Sequence, residues 1–481
     1  MDAKPIDIFN IAFRPNGIAI VGASDEPYSS GHMFMYHLLN YGYPGNIYPV
    51  NPNKQTVFGL KVYPDLISIP DPVDYVICCL PASKIPDLLI DGSAKGVKLI
   101  HFFTGRLSET GHQEAIDLEA EILQLARKSN IRLLGPNCMG IYNPLEGITF
   151  ESSFPKESGT VGVLSQSGGA ASLFVRYGEL QGLRFSKVIS YGNALDLDES
   201  DFLRYLAHDD ETRVIAMYIE GVKDGGKFLN ALRDAMQTKP VVAIKGGRGV
   251  VGAKAAVSHT AAIAGSDIIW ETVFRQFGVI QAQDVNELVD LLVAFSLLPP
   301  IKGNRAGVIG GSGGTTVMFA DICEKAGIAM PPLPLELDMK LKAKAPELYG
   351  WLGNPVDYTV VIGSAISVEE ILNGITRSPD FDFIISSINE GSPYHEGLAS
   401  SSIAGEVEAA ITVFKGSSKP MVAVLSGAKV GSKQTQHWRW KLIAELRTRL
   451  IDAGIPTYST ITEAAKTLHR FVEYWQKRAE T

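Results

Sequence analysis

Short β-branched runs alternate with helical patterns along the whole chain, and at several points a strand runs directly into a glycine-rich turn that opens a helix. This order restricts the fold more than any other feature. Strands that each hand over to a helix share a sheet through crossover connections, so the expected class is α/β, with parallel, doubly wound sheets. Residues 18–21, 46–50, 75–80, 99–103 and 132–135 read as five strands of a first, Rossmann-like domain that ends near Asn143-Pro144. A strand at 160–164 opens a second α/β region, whose pattern runs to a helix over 285–298. Pro299-Pro300 stops that helix, because proline lacks the donor a helix interior needs, and a strand at 306–309 begins a third region. A chain of 481 residues fits about three domains at ~150 residues each. The predicted domains are 1–145, Rossmann-like, then 155–298 and 305–478, both doubly wound.

The second and third regions read as copies of one another in order, though not in fixed period. Each opens with a strand, a glycine-serine turn and a helix, at Ser165-Gln166-Ser167-Gly168-Gly169 and at Gly310-Gly311-Ser312-Gly313-Gly314. Each continues with an apolar strand ending in Glu-Gly, at Glu220-Gly221 and Glu390-Gly391, and then a Lys-Pro strand, from Lys239-Pro240 and from Lys419-Pro420.

Composition removes several function classes. The formal net charge is −8, and no stretch clusters an excess of lysine and arginine, so a nucleic-acid surface is not expected. Cys78, Cys79, Cys138 and Cys323 lie in or beside apolar runs without metal-ligand spacing, which predicts reduced core cysteines and no metal site of the chain's own. No run is long and apolar enough to span a bilayer, and Met1-Asp2-Ala3-Lys4-Pro5 lacks an apolar leader. The expected location is cytoplasmic, with no membrane partner.

The chemistry sits in the turns and in one histidine. A glycine-serine turn between strand and helix aims several backbone N–H groups at one spot, backed by the positive end of the helix dipole, and so forms a phosphate socket. Ser165, Gln166, Ser167, Gly168 and Gly169 make one candidate socket, and Gly311, Ser312, Gly313 and Gly314 the other. Ser258-His259-Thr260 follows the glycine-rich 245–249 run within a stretch of small residues, where a histidine is badly placed for metal and well placed as a mobile nucleophile. Two sockets and one such histidine point to a phosphoryl group made at one place and carried to another. Glu220, at a strand end, is a candidate partner for that imidazole. His437 follows the Lys419-Pro420 strand much as His259 follows Lys239-Pro240, but Gln436 and Trp438 flank it with bulk at a helix start, which disfavours a carrier role.

The first domain has its own turn, Gly22-Ala23-Ser24, without the full G-x-G-x-x-G pattern. Its second strand ends Val50-Asn51-Pro52-Asn53-Lys54, offering amides and a cation where an NAD-binding domain carries an acid. Such a crevice suits a nucleotide with an extra phosphate, coenzyme A or NADP. Gly22, Ala23, Ser24, Asn51, Lys54 and Pro81 are the candidate contacts.

These residues resemble a known family, the nucleoside-diphosphate-forming acyl-CoA synthetases, which include succinyl-CoA synthetase. The resemblance is carried by Val21-Gly22-Ala23-Ser24, Gly135-Pro136-Asn137-Cys138-Met139-Gly140, Ser165 to Gly169, Tyr218-Ile219-Glu220-Gly221, Ser258-His259-Thr260 and Gly353-Asn354-Pro355-Val356-Asp357. It covers nearly the whole chain and is strongest for α subunits of the ADP-forming acetate type. It implies a Rossmann-like CoA-binding domain followed by two flavodoxin-like ligase domains, His259 as the phosphorylated histidine and Glu220 as the acid that holds it. It also implies a separate ATP-grasp β subunit that supplies most of the ATP, ADP and Mg2+ site, in a hetero-oligomer such as α2β2. The substrates implied are acyl-CoA, phosphate and a small carboxylic acid. The family commonly has Gly-Ser after Ser-His-Thr, where this chain has Ala261-Ala262, implying a stiffer loop or fewer donors to the phosphohistidine. Two other readings are a non-catalytic CoA-binding regulatory subunit and, against the resemblance, an NADP oxidoreductase.

Overall fold

The computed structural model describes residues 5–249, 251–252, 267–344, 346–347, 352–357, 365–390, 395–426 and 437–480. His259 and Ala261-Ala262 lie outside the described residues. Contacts divide the chain into two compact units, Met1–Leu288 and Val289–Thr481. The division falls inside helix Val285–Leu297, ahead of the Pro299-Pro300 break. Aromatic packing shows why: the Phe295 ring lies 4.8 Å from that of Phe471 and 5.2 Å from that of Tyr474, which ties the end of this helix to the chain's last one, Ile461–Glu480.

Among the described residues the first unit holds two large sheets and a two-stranded antiparallel ribbon, Thr56–Val57 with Leu60–Lys61. One is wholly parallel, in the order Asn46–Val50, Gly17–Val21, Tyr75–Cys78, Leu99–Phe102 and Arg132–Leu134. Gly17–Val21 and Tyr75–Cys78 are buried along their whole length, as expected of strands covered on both faces. Strand order reverses beside Gly17–Val21, which creates the crevice at the carboxyl ends where such sheets bind ligands. Helix Ser30–Tyr41 seats tightly there. A Cβ on Gly31 would lie 2.0 Å from the Gly22 carbonyl oxygen, so only glycine permits that approach. Cys78 and Cys138 are buried in this unit, Cys79 is half-buried, and all three thiols are free.

The other sheet of this unit runs Ile280–Gln281, Val241–Lys245, Val214–Ile219, Ser158–Ser165, Phe185–Ser190 and Gly140–Tyr142, with only the last strand antiparallel. The second unit has a four-stranded parallel sheet in the order Ala306–Ile309, Phe383–Ser387, Met421–Val424 and Thr457–Tyr458. Read by their glycine turns, the four strands of the second sheet repeat the order of Ser158–Ser165, Val214–Ile219, Val241–Lys245 and Ile280–Gln281. The duplication of order seen in the sequence is thus a duplication of topology. The place of Phe185–Ser190 is taken in the second unit by a single parallel bridge between Ile309 and Val356. Among the described residues no helix is long and apolar enough to cross a membrane.

Candidate functional site

Ser158–Ser165 and Val214–Ile219 are neighbouring central strands, with Tyr218 opposite Ser165, so their carboxyl ends bring the Ser165 turn and Glu220 together. Ser167 caps helix Gly168–Leu180, its side chain accepting from the Ala170 N–H at 3.3 Å. Ser165 Oγ donates to the Ser167 carbonyl at 2.6 Å and accepts from the Ser167 N–H at 3.2 Å. Gln166 donates its backbone N–H to the Tyr218 carbonyl at 3.1 Å, and its side-chain oxygen accepts the N–H groups of Glu220 at 2.6 Å and Gly221 at 3.1 Å. Gln166 therefore latches the end of the acidic strand to the turn. Its amide oxygen is an acceptor committed to backbone, which no phosphate contact can use.

Glu220 is only 6% exposed, so it is not a solvated strand end. The Tyr218 hydroxyl donates to its Oε1 at 3.2 Å, while Oε2 is buried without a hydrogen-bond partner among the described residues. Buried polar atoms are almost always paired; a lone carboxylate oxygen at a strand end beside a helix N-terminus is an acceptor held ready for a donor. Burial, reinforced by Glu220, pushes the Tyr218 phenol up to about 12. Lys245, opposite Ile219 on the next strand, is 3% exposed and lowered by burial, with Asp267 and Glu220 opposing that shift. Arg248 ties the two sides of the His259 segment: it pairs with Asp267 at 3.0 Å and Glu271 at 2.8 Å, and donates to Gln283 at 2.7 Å.

A second wall comes from 135–139 and 190–195. The Asn193 and Leu195 N–H groups donate to the Pro136 and Gly135 carbonyls at 3.0 and 2.9 Å. Met139 N–H donates to Ser190 Oγ at 3.1 Å, and Asn193 Nδ2 to Glu109 Oε2 at 3.1 Å. Since Tyr191 N–H also bonds the Ser165 carbonyl at 3.0 Å, this wall abuts the first socket.

The first domain's six candidate contacts all lie at the carboxyl ends of the three strands around the switch point. The N–H groups of Gly22 and Ala23 both reach the Val50 carbonyl, at 3.0 and 3.2 Å, so they close the turn rather than point outward. Ser24 Oγ accepts from the Glu26 N–H at 3.0 Å, and Asn51 donates to the Ala23 carbonyl at 2.9 Å. Lys54 is ion-paired with Asp25 and, at 3.7 Å, Glu26. Pro81 caps the short helix Ala82–Lys84.

In the second unit the glycine turn is organised differently. Gly310 has φ +115°, and a Cβ there would lie 1.8 Å from the Ser387 carbonyl oxygen, so the turn must be glycine. Gly313 caps helix Gly314–Lys325 with no side chain. Its N–H donates to Asp357 Oδ2 at 2.6 Å, and the Ser312 N–H to Thr315 Oγ1 at 2.6 Å. A carboxylate of the chain itself stands at this socket. His437 caps helix Trp438–Asp452, its Nδ1 accepting from the Arg439 N–H at 3.3 Å.

Sequence reasoning did not find the Gln166 latch, the Arg248 tie or the carboxylate at Gly313. The Asn354-Pro355-Val356-Asp357 segment was visible as a motif, and an acid two residues after proline was its only hint.

Fold and site define a doubly wound domain with a crevice at its switch point, followed by a second doubly wound sheet with a serine-capped glycine turn. A CoA-binding domain model matches residues 16–144, and a succinyl-CoA ligase like flavodoxin domain model matches 158–295. The chain is 33% identical to the α subunit of ADP-forming acetate–CoA ligase II of Pyrococcus furiosus, over 96% of each chain. It is 37% identical to the ADP-forming acetate–CoA ligase of Methanocaldococcus jannaschii over 73% of this chain, a match that spans about half (49%) of that longer enzyme. It superposes with a TM-score of 0.81 and 28% identity on the dinucleotide forming acetyl-coenzyme A synthetase 1 of Ca. Korarchaeum cryptofilum, solved with phosphate and ADP, covering 98% and 99% of the two chains. The chain belongs to the family of ADP-forming acyl-CoA ligases.

Proposed function

We propose that this chain is the α subunit of an ADP-forming acyl-CoA synthetase, converting acyl-CoA, ADP and phosphate reversibly to a carboxylic acid, ATP and CoA. The α-type relative matched over nearly its full length supports the assignment. So does one observation above all: the buried, half-satisfied carboxylate of Glu220 beside the Ser167-capped helix.

In this reading residues 1–145 hold CoA at the switch-point crevice. Lys54 exchanges its exposed partners for the ligand's phosphate, a cheap exchange because exposed ion pairs contribute little. Phosphate held at the Ser165 to Gly169 turn attacks the thioester carbonyl, the C–S bond breaks, and CoA leaves as the thiol with an acyl phosphate formed. His259 attacks the phosphorus, the carboxylate leaves, and the phosphoryl group is carried on nitrogen. Glu220 accepts the N–H of the other ring nitrogen with its free oxygen and favours the cationic phosphohistidine. Gly311 to Gly314 form a second anion stop, which takes phosphate once Asp357 has left Gly313. An ATP-grasp β subunit with Mg2+ then receives the phosphoryl group on ADP, in a cytoplasmic hetero-oligomer such as α2β2.

The test is reconstitution. With labelled ATP the purified chain alone should take up no phosphate, and with an ATP-grasp β subunit it should trap acid-labile phosphate that carboxylic acid and CoA discharge. Labelling of the isolated chain would show that the division of labour is wrong. No labelling with any partner would leave the regulatory reading.

A further inference from the structure

Glu220 is held from three sides, and the holding leaves one oxygen out. Its backbone is fixed by the buried Gln166, whose side-chain oxygen accepts the N–H groups of Glu220 and Gly221 at 2.6 and 3.1 Å. That latch does not reach the carboxylate, whose torsions it leaves free. Tyr218 and Glu220 stand two apart at the end of strand Val214–Ile219. Residues so spaced share a face, so the Tyr218 hydroxyl reaches Glu220 Oε1, at 3.2 Å. Burial, with Glu220 adding to it, pushes that phenol up to about 12, and it stays a donor at neutral pH. The third side is Gly246, whose N–H donates to the Ile219 carbonyl at 2.8 Å. A Cβ there would lie 2.6 Å from the Tyr218 hydroxyl oxygen and 3.2 Å from Glu220 Cγ, so any side chain would push the phenol off the carboxylate. Lys245 turns its ammonium elsewhere, donating to the Gly246 carbonyl and lying 5.3 Å from the centre of the Trp270 ring.

We propose that Tyr218 is a positioning residue for phosphoryl transfer: its hydroxyl occupies Glu220 Oε1 and thereby sets Oε2 as the oxygen that meets the imidazole N–H, with Gly246 making room for the pair. The inference rests on the phosphohistidine reading of Glu220. Oε2 is buried without a partner among the described residues, so the donor it awaits must arrive in a fixed direction. A hydrogen bond to a carboxylate is strong because its acceptor is charged. A carboxylate already oriented by one such bond loses less freedom when the second donor docks, and this lowers the cost of forming the phosphohistidine pair. Tyr218 touches neither the phosphoryl group nor the imidazole in this arrangement and acts through Glu220 alone.

A double-mutant cycle on the full chain with its β subunit tests this, read by trapping of labelled phosphate, with CoA affinity as the check that each variant is folded. Tyr218→Phe keeps the ring and removes the hydroxyl, and the phosphoenzyme level should fall about ten-fold. Made in Glu220→Gln, the same substitution should lower the level by less than about two-fold, because the hydroxyl has no carboxylate left to act through. A tyrosine that merely supports packing would subtract equally in both backgrounds, and that result overturns the proposal. Gly246→Ala keeps both side chains yet places a methyl against the hydroxyl, so it should reproduce the loss of about ten-fold. If Tyr218→Phe fails to bind CoA, Gly246→Ala decides, and wild-type labelling in either folded variant overturns the assignment. Labelled wild type with unaffected variants would refute the role of Tyr218 and spare the phosphohistidine reading, whereas a wild type that is never labelled would overturn both.

Discussion

The two glycine turns share a place in a repeated topology and differ in electrostatics. The first is capped by a serine hydroxyl, and its neighbouring acid, Glu220, keeps one oxygen free. The second is capped by a glycine whose N–H already holds the Asp357 carboxylate, and its counterpart acid, Glu390, accepts the Ser426 N–H. A helix N-terminus attracts an anion wherever it occurs. What differs is whether the chain supplies that anion itself. On the proposed reading the first turn is open to a ligand, and the second must exchange one negative group for another.

The strongest way to break this contrast is at the histidines. His259→Ala should abolish phosphoenzyme formation with CoA binding retained, while His437→Ala should leave labelling intact, since His437 is engaged as a helix cap. The opposite result would move the carrier to the second unit. Next come the acids. Glu220→Gln removes the charge that supports a phosphohistidine cation, and at ~1.5–3 kcal/mol for a hydrogen bond to a charged group the phosphoenzyme level should fall about ten- to a hundred-fold. Glu390→Gln should change it by less than about two-fold. Equal losses, measured by radiolabel trapping, would mean the two ends are equivalent.

The buried acids sharpen the comparison through pH. Burial raises both Glu199 and Glu406 to about 8, above the usual 4.5 of an unfolded glutamate. The unfolded chain thus releases these protons first, so both groups make stability fall as pH rises from about 4.5 to about 8, with no further fall above. Thermal unfolding should show Glu406→Gln gaining several degrees at pH 9 relative to pH 4. The gain for Glu199→Gln should differ from this, because Asp198 and Lys227 act on Glu199, whereas beside burial Glu406 feels chiefly the Asn389 N–H. A pH-independent difference from wild type would show that the carboxyls ionise normally.

The smallest effects lie at the caps. Ser167→Ala should cost about 1 kcal/mol of stability and weaken phosphate binding. Asp357→Ala should also destabilise, yet raise phosphate affinity at the second turn by removing the competing carboxylate. Calorimetry with phosphate separates the two, and weaker binding in Asp357→Ala would show that the carboxylate helps rather than competes.

By itself the sequence determined the alternation of strands and helices, the glycine turns, the duplicated order and the family. Those properties are carried by periodicity and local backbone freedom, which are written in adjacent residues. The free cysteines in or beside the core followed from the same pattern. Only the tertiary structure decided who bonds whom at the strand ends. Gln166 reaches Glu220 across 54 positions and Asp357 reaches Gly313 across 44, and the amides of Gly22 and Ala23 turn inward to Val50. Such pairings depend on sheet register and burial, which juxtapose residues that no local pattern relates. A socket can be recognised from its glycines, but whether its donors are free is settled by what the rest of the fold packs against them.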